Sequence, residues 1–306
     1  MGLEYAVGVP KSFWLNLQAN YEAELLEVNE EQTITEEERA AREQLSQVVK
    51  YLRQKGSMPQ REKKNDSILS LRKALQISNL VNLKEMIPGG AFRMAANASV
   101  NPYVLGAWIR LCQIMGEEKN IRGRFDRSQV KELIMEVKKI MLWEQADIQE
   151  ALKNTMEKYG IDFSIVMNFR GAPVQGYIAQ KKDETYQMVL TIRGSYADIF
   201  WFSLFHELGH IVNGDVAWNT KFVDYGDDKK KETAADRFAG NMLLEPRSYE
   251  EFVRTGDFSI NAITRYACSQ NVKPYIVIGR LQKEGHLEYN QFTEYKLRYK
   301  WETLPA

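Results

Sequence analysis

Two of the chain's three histidines, His206 and His210, stand four residues apart in the stretch FWFSLFHELGHIVNGD, and Glu207 directly follows the first. On an α-helix, residues four apart share a face, with Cβ atoms about 5–6 Å from each other. Both imidazoles can then reach one metal ion through bonds of about 2.0–2.1 Å. Glu207 points roughly 100° further round the axis. That direction takes it out of the ligand set and puts it within reach of a water on the metal, where a general base is needed. A lone histidine on an apolar helix is ordinarily a satisfied core residue. Two at ligand spacing with a glutamate between them, in a chain so poor in histidine, point instead to a metal centre that does hydrolysis.

A catalytic zinc ion takes three protein ligands and keeps one position open. His286 lies 76 residues past His210, in KEGHLEY, with nothing around it that marks it as a ligand. A better candidate is Glu232, 22 residues after His210 in KKKETAADRFAGNMLLEP, with Asp236 one turn on. Glu232 would complete a His, His, Glu set. Asp236, on the same helix face, is placed to accept the outer ring N–H of one histidine and so fix its tautomer. The bland alternative, a solvated acidic pair beside three lysines, is outweighed by the histidines upstream and by Phe238, Ala239, Met242 and Leu243, which bury this helix. Zn2+ in such a site lowers the pKa of water toward about 7 and polarises a carbonyl, while Glu207 moves the proton. A donor for the developing oxyanion is not identified; Tyr177, Arg193, Tyr266 and Arg280 are possible, though each is more readily read as structural.

These residues have to be carried by particular elements. The motif lies within a helix, YADIFWFSLFHELGHIVN, with Ser195 and Asp198 reading as a capping box ahead of it and Asn213-Gly214 as its stop. Gly209 inside it costs about 1 kcal/mol relative to Ala, which implies close packing under the metal, against the second helix. Before the helix, IDFSIVMNF, APVQGYIAQ and ETYQMVLTIRG read as strands. They predict a small antiparallel sheet, whose last strand, Tyr186 to Ile192, is expected to hold an extended substrate by edge pairing.

Elsewhere the 3.6-residue period dominates. A first helix carries Phe13, Trp14, Leu17 and Tyr21 on one stripe. A second is expected from a capping box at Thr35 and Glu38 to Gly56, its charges on a solvated face, followed by a linker at 57–66. Asn101 caps a helix with Pro102 in its first turn. The expected organisation is an N-terminal helical segment and charged linker over 1–62, a helical domain over 63–158, the hydrolase core over 159–250 and a C-terminal helical subdomain over 251–306. The fold class is α+β, mostly helical, with the sheet beside the motif helix in a zincin-like arrangement.

Composition narrows the class. The 306 residues are 44% hydrophobic and 27% charged, with 41 basic and 41 acidic side chains. That balance gives no overall surface for nucleic acid or membrane. Cys112 and Cys268 sit in apolar helical contexts and read as two buried thiols of a reducing compartment. No basic segment followed by an apolar one opens the chain, and the longest apolar run, DIFWFSLF, is too short to span a bilayer. A cytoplasmic protein is expected. The segment SINAITRYACSQNVKPYIVIGRLQ has helix-turn-helix spacing but no cluster of Arg and Lys on its second helix.

FWFSLFHELGHIVNGD followed by ETAADRFAGNMLLEP resembles the ImmA/IrrE-type zinc metallopeptidases, whose hallmark is H-E-x-x-H, then E-x-x-A-[ND]-x-F-A, then L-x-P or similar. The likeness implies His206, His210 and Glu232 as zinc ligands and Glu207 as the catalytic residue. GVPKSFWLNLQANYEAEL resembles the end of a HigA-type antitoxin helix-turn-helix domain. AFRMA, AWIRLCQI, VLTIRGSYADIFWF and VKPYIVIGRLQKEGHLEY are similar to parts of bacterial proteins that fuse such a domain to the peptidase. Ala234 stands where many relatives have Glu. The resemblance implies a protein substrate, a DNA-binding repressor or antitoxin in a stress, mobile-element or toxin–antitoxin circuit, and a cognate toxin as a further partner. DNA would be read only through a helix-turn-helix domain absent from this chain. The second function carried by the same residues is a transcriptional regulator or antitoxin whose metal is structural or sensory.

Overall fold

The structure, a computed structural model, describes residues 4, 7–87, 100–117, 121, 123–143, 147–181, 184–216, 221–223 and 229–300. The segment AFRMA and Trp301 lie outside the described residues. The chain divides into two compact units, Met1–Lys84 and Glu85–Ala306.

The first unit is helical: α1 Lys11–Gln32, α2 Glu36–Gln44, α3 Ser46–Gln54 and α4 Lys64–Leu75. The helix expected from Thr35 to Gly56 is two helices, because Leu45 leaves helical geometry at φ −92°, ψ 19°. On α1, Phe13, Leu17 and Tyr21 are exposed. The capping box at Thr35 is half realised: Thr35 accepts from the Glu38 amide at 3.2 Å. The Glu38 side chain does not reach back. It is fully buried, so this face of the charged run is not solvated. Arg72 grips it with two N–H donors at 2.8 and 2.5 Å, and the Leu80 amide donates to it at 3.0 Å. Removing one partner of a buried pair leaves the other charge unmatched, at a cost of about 3–5 kcal/mol. Glu38→Ala should therefore destabilise this unit by about that amount, seen as an earlier melting transition. A melting curve superimposable on the wild type's would overturn the assignment.

The second unit holds the remaining elements. They are α5 Pro102–Glu117, α6 Val130–Leu142, α7 Ile148–Lys158, β1 Ile161–Val166, β2 Gly176–Gln180, β3 Tyr186–Thr191, α8 Ala197–Asn213, β4 Lys221–Val223, α9 Lys229–Leu243, α10 Pro246–Thr255, α11 Ile260–Ser269 and α12 Pro274–Lys283. Asn101 caps α5 as expected, its Oδ1 accepting from the Tyr103 and Val104 amides at 3.0 and 3.2 Å. The class is α+β.

The sheet order is β1-β3-β2-β4. β2 pairs antiparallel with β3 and with β4, but β1 pairs parallel with β3, Ile161 opposite Tyr186 through Val166 opposite Thr191. The sheet is therefore mixed rather than antiparallel. The segment between β1 and β2 skips one position, so β3 inserts between them. As an interior strand, buried along its whole length, β3 has both edges occupied and cannot take an extended substrate by edge pairing. Its side chains alternate as a pleat requires. Met188 and Leu190 join the core that includes Trp201, Leu204, Phe205 and Leu208 of α8. On the other face the Gln187 amide donates to the Cys112 carbonyl of α5 at 2.6 Å, and Gly116 leaves room for it.

Helix α8 is stopped as expected, by Gly214 at φ 77° in the left-handed region where glycine bears no Cβ penalty. Its start differs from the expected capping box. Ser195 sits at φ 59°, the N-cap is Tyr196, and no side chain caps the helix. The Ala197 amide instead donates to the Leu297 carbonyl at 2.9 Å, the Tyr299 amide donates to the Ser195 carbonyl at 2.7 Å, and Tyr196 bridges Arg298. Asp198, freed from capping, pairs with Lys296 at 2.7 Å in a buried position. The chain's last described stretch thus does the work a local cap would have done. Both cysteines are free. Cys112 is buried, and burial pushes its thiol pKa well up, whereas Cys268 is exposed, against the expectation of two buried thiols.

Candidate metal centre

The third and fourth turns of α8 carry His206, Glu207 and His210 inside the core, all three buried. Helix α9 crosses under them because Gly209 lacks a side chain. A Cβ there would meet Phe238 at 3.1 Å and the Ala235 Cα at 3.2 Å. This is the close packing that the mid-helix glycine implied, and it brings Glu232 up to the histidines.

Nε2 of His206 and Nε2 of His210 lie 3.0 Å apart. The Glu232 carboxylate reaches both, at 3.2 Å from His206 Nε2 and 3.6 Å from His210 Nε2. One ligand atom from each of the three residues falls within 4.8 Å of the others. The outer nitrogens are equally engaged: His206 Nδ1 lies 2.9 Å from Asp236 Oδ1, and His210 Nδ1 lies 2.9 Å from Asp215 Oδ2. A carboxylate on each Nδ1 assigns the proton to that nitrogen. Both Nε2 atoms are then lone-pair donors aimed at one place, with a carboxylate beside them. Such a convergence of electron pairs fits a cation. The softness of two imidazoles and one carboxylate suits zinc among the common divalent ions.

Electrostatics agree. Burial, partly offset by the Asp215 hydrogen bond, lowers the pKa of His210 and keeps its imidazole neutral, the form that binds metal. The hydrogen bond from His206, and after it the Lys283 ammonium, hold the Asp236 carboxyl below the usual carboxylate range.

Glu207 does not join the ligands. Its carboxylate lies under the first residue of β2, and a methyl group on Gly176 would overlap it. Beside the centre opens a cavity of about 1020 Å³ between α8, α9, α12 and the segment that follows α12, with Gln175, Ser203, His206, Glu232 and Asp236 on its wall.

The structure thus brings together His206, His210, Glu232 and Asp236, with Glu207 adjoining. It sets the other candidates elsewhere. His286 stacks against Phe258 and faces Glu284 at 3.8 Å, outside the cluster. Tyr177 is buried one residue past Gly176, so the pleat turns it to the opposite face of the sheet, and burial raises its pKa far above the usual phenol. Arg193 donates to the Pro173 carbonyl at 2.7 Å. Tyr266 stacks on Phe252 at 4.4 Å. Arg280 lines the cavity but is tied to Glu284 at 2.9 Å and to the Gly240 carbonyl at 3.2 Å.

Asp215 and Gly176 escaped the sequence reading. One signal for Asp215 was present: two histidines read as ligands need two outer acceptors, and Asp236 can serve only one. Removing such an acceptor typically costs 10–100-fold in metal affinity. Asp215→Ala should weaken zinc binding toward the upper end of that range and Asp236→Ala toward the lower, because the Asp215 side chain is 12% exposed and that of Asp236 47%. Competition against a chromophoric chelator measures both. Affinities equal to wild type would show that these carboxylates do not orient the rings.

No protein-family model matches the chain, and none of the curated proteins matches it. Among the described residues, no helix is long and apolar enough to cross a membrane.

Proposed function

We propose that this chain is a zinc-dependent endopeptidase of the ImmA/IrrE type, acting in the cytoplasm. Its substrate is a protein partner, a DNA-binding repressor or antitoxin in a stress, mobile-element or toxin–antitoxin circuit. The observation that supports this reading best is the convergence of two Nε2 lone pairs and the Glu232 carboxylate, each imidazole backed by its own aspartate. His206, His210 and Glu232 would hold the metal, and Asp236 and Asp215 would hold the rings.

Zinc bound there supplies Lewis acidity, which acidifies water and polarises a peptide carbonyl. The protein's own groups do the rest. Glu207, adjoining the ligands but not among them, accepts the proton of the attacking water and passes it to the leaving amine. The cavity along α8 and α9 receives the substrate segment.

The test is cleavage. The zinc-loaded protein is incubated with the repressor or antitoxin encoded beside it, with and without a zinc chelator. Cleavage that stops with chelator and returns with zinc is the expected result. One zinc per chain with no cleavage, but with metal-dependent operator or toxin binding, would favour a regulator with a structural or sensory metal.

A further inference from the structure

Peptide hydrolysis needs, besides metal and base, a hydrogen-bond donor that holds the oxygen on which negative charge develops. Tyr177, Arg193, Tyr266 and Arg280 are each placed or tied so that none serves. We propose that the side-chain amide of Gln175 is that donor, an inference that rests on the hydrolase reading.

Gln175 immediately precedes Gly176, the residue whose open Cα faces Glu207, so its backbone passes over the general base. The residue is anchored, since its carbonyl accepts from the Thr191 amide at 2.9 Å at the end of β3. Its side chain is anchored as well. Oε1 accepts from the Ser203 hydroxyl at 2.6 Å. Ser203 lies three residues before His206 and four before Glu207, hence on their face of α8. With Oε1 occupied, the amide presents its other end, an NH2 group with two donors. Among the described residues no acceptor takes those donors, and Gln175 lines the same cavity as His206 and Glu232. A neutral amide is suited to the role. It binds a carbonyl oxygen weakly in the ground state and more strongly as charge builds, without drawing charge away from Glu207. Ser203, acting through Gln175, is a positioning residue.

The test reads binding rather than turnover. The cobalt-substituted protein is titrated with acetohydroxamic acid, whose oxygens would occupy the metal-facing end of the cavity, and followed by visible absorption. Gln175→Ala should weaken binding about tenfold, the worth of a hydrogen bond to a charged oxygen, while cobalt stoichiometry and the ligand-free spectrum stay as in wild type. Gln175→Met, which keeps the side-chain length and removes the donors, should do the same and covers a failure of the alanine variant to fold. Ser203→Ala should weaken binding by a smaller factor. Affinities within twofold of wild type in both Gln175 variants overturn the proposal and leave the metal centre standing. A wild-type protein that takes up cobalt but does not bind the hydroxamate overturns it too. A protein that takes up no cobalt overturns the hydrolase reading itself.

Discussion

Glu207→Gln should lose hydrolysis by about 10²–10⁴-fold, the usual weight of a general base, and keep its zinc. Gln is nearly the same shape and still fits beneath Gly176, but it cannot accept a proton at neutral pH. The metal should be indifferent, because Glu207 lies outside the cluster of His206, His210 and Glu232. Stability is not expected to fall, since Gln keeps the size and shape of the side chain at this buried position. An inactive, fully metallated chain that melts no lower than wild type is a combination that a structural role for Glu207 does not produce. Elemental analysis, a melting curve and a gel of the cleaved substrate measure all three. Cleavage that survives the substitution would sink the mechanism.

Gly176→Ala should be nearly as damaging to activity, from a residue with no chemistry of its own. The added methyl would overlap the buried Glu207 carboxylate, so one of the two must move. Either the carboxylate swings away from the position the proposed reaction needs or β2 lifts from α8. The first outcome costs on the order of 100-fold in activity, because a displacement of about 1 Å is enough to do so. The second adds the overpacking penalty of about 1–3 kcal/mol. Zinc stoichiometry should remain one per chain in both. A Gly176→Ala protein with wild-type turnover would show that β2 does not fix the general base.

Local placement was legible in the sequence, and long-range placement was not. His206, His210 and Asp236 follow from helical periodicity alone, because a helix turns spacing into direction. Glu232 needed one further assumption, that its helix lies against the first, and Gly209 made that assumption physical. Asp215 was missed because it acts after the chain has turned back at Gly214, where periodicity no longer applies. Gly176 was missed because its role is a relation between a strand and a helix, and nothing near it in the chain expresses that relation. The parallel pairing of β1 with β3 was hidden for the same reason: hairpin spacing reports neighbours in sequence, and β3 inserted where no local signal placed it. Glu38 shows the opposite error. Surrounded in sequence by charge, it read as solvated, yet Arg72, 34 residues away, makes burial tolerable.

The start of α8, the helix of His206 and His210, has a consequence for how the protein is made. Its Tyr196 edge is closed by Arg298 and its Trp201 indole by the Tyr299 hydroxyl, partners 102 and 98 residues further along the chain. Translation at roughly 5–20 residues per second delivers those partners about 5–20 s after the histidines have emerged. During that interval the nascent chain carries both imidazoles on a helix with an unfinished N-terminus. Completion of this helix start is thereby deferred until residues 298 and 299 have been made, and a ribosome stalled within those hundred codons would hold a polypeptide that carries His206, His210 and Glu232 but no finished scaffold.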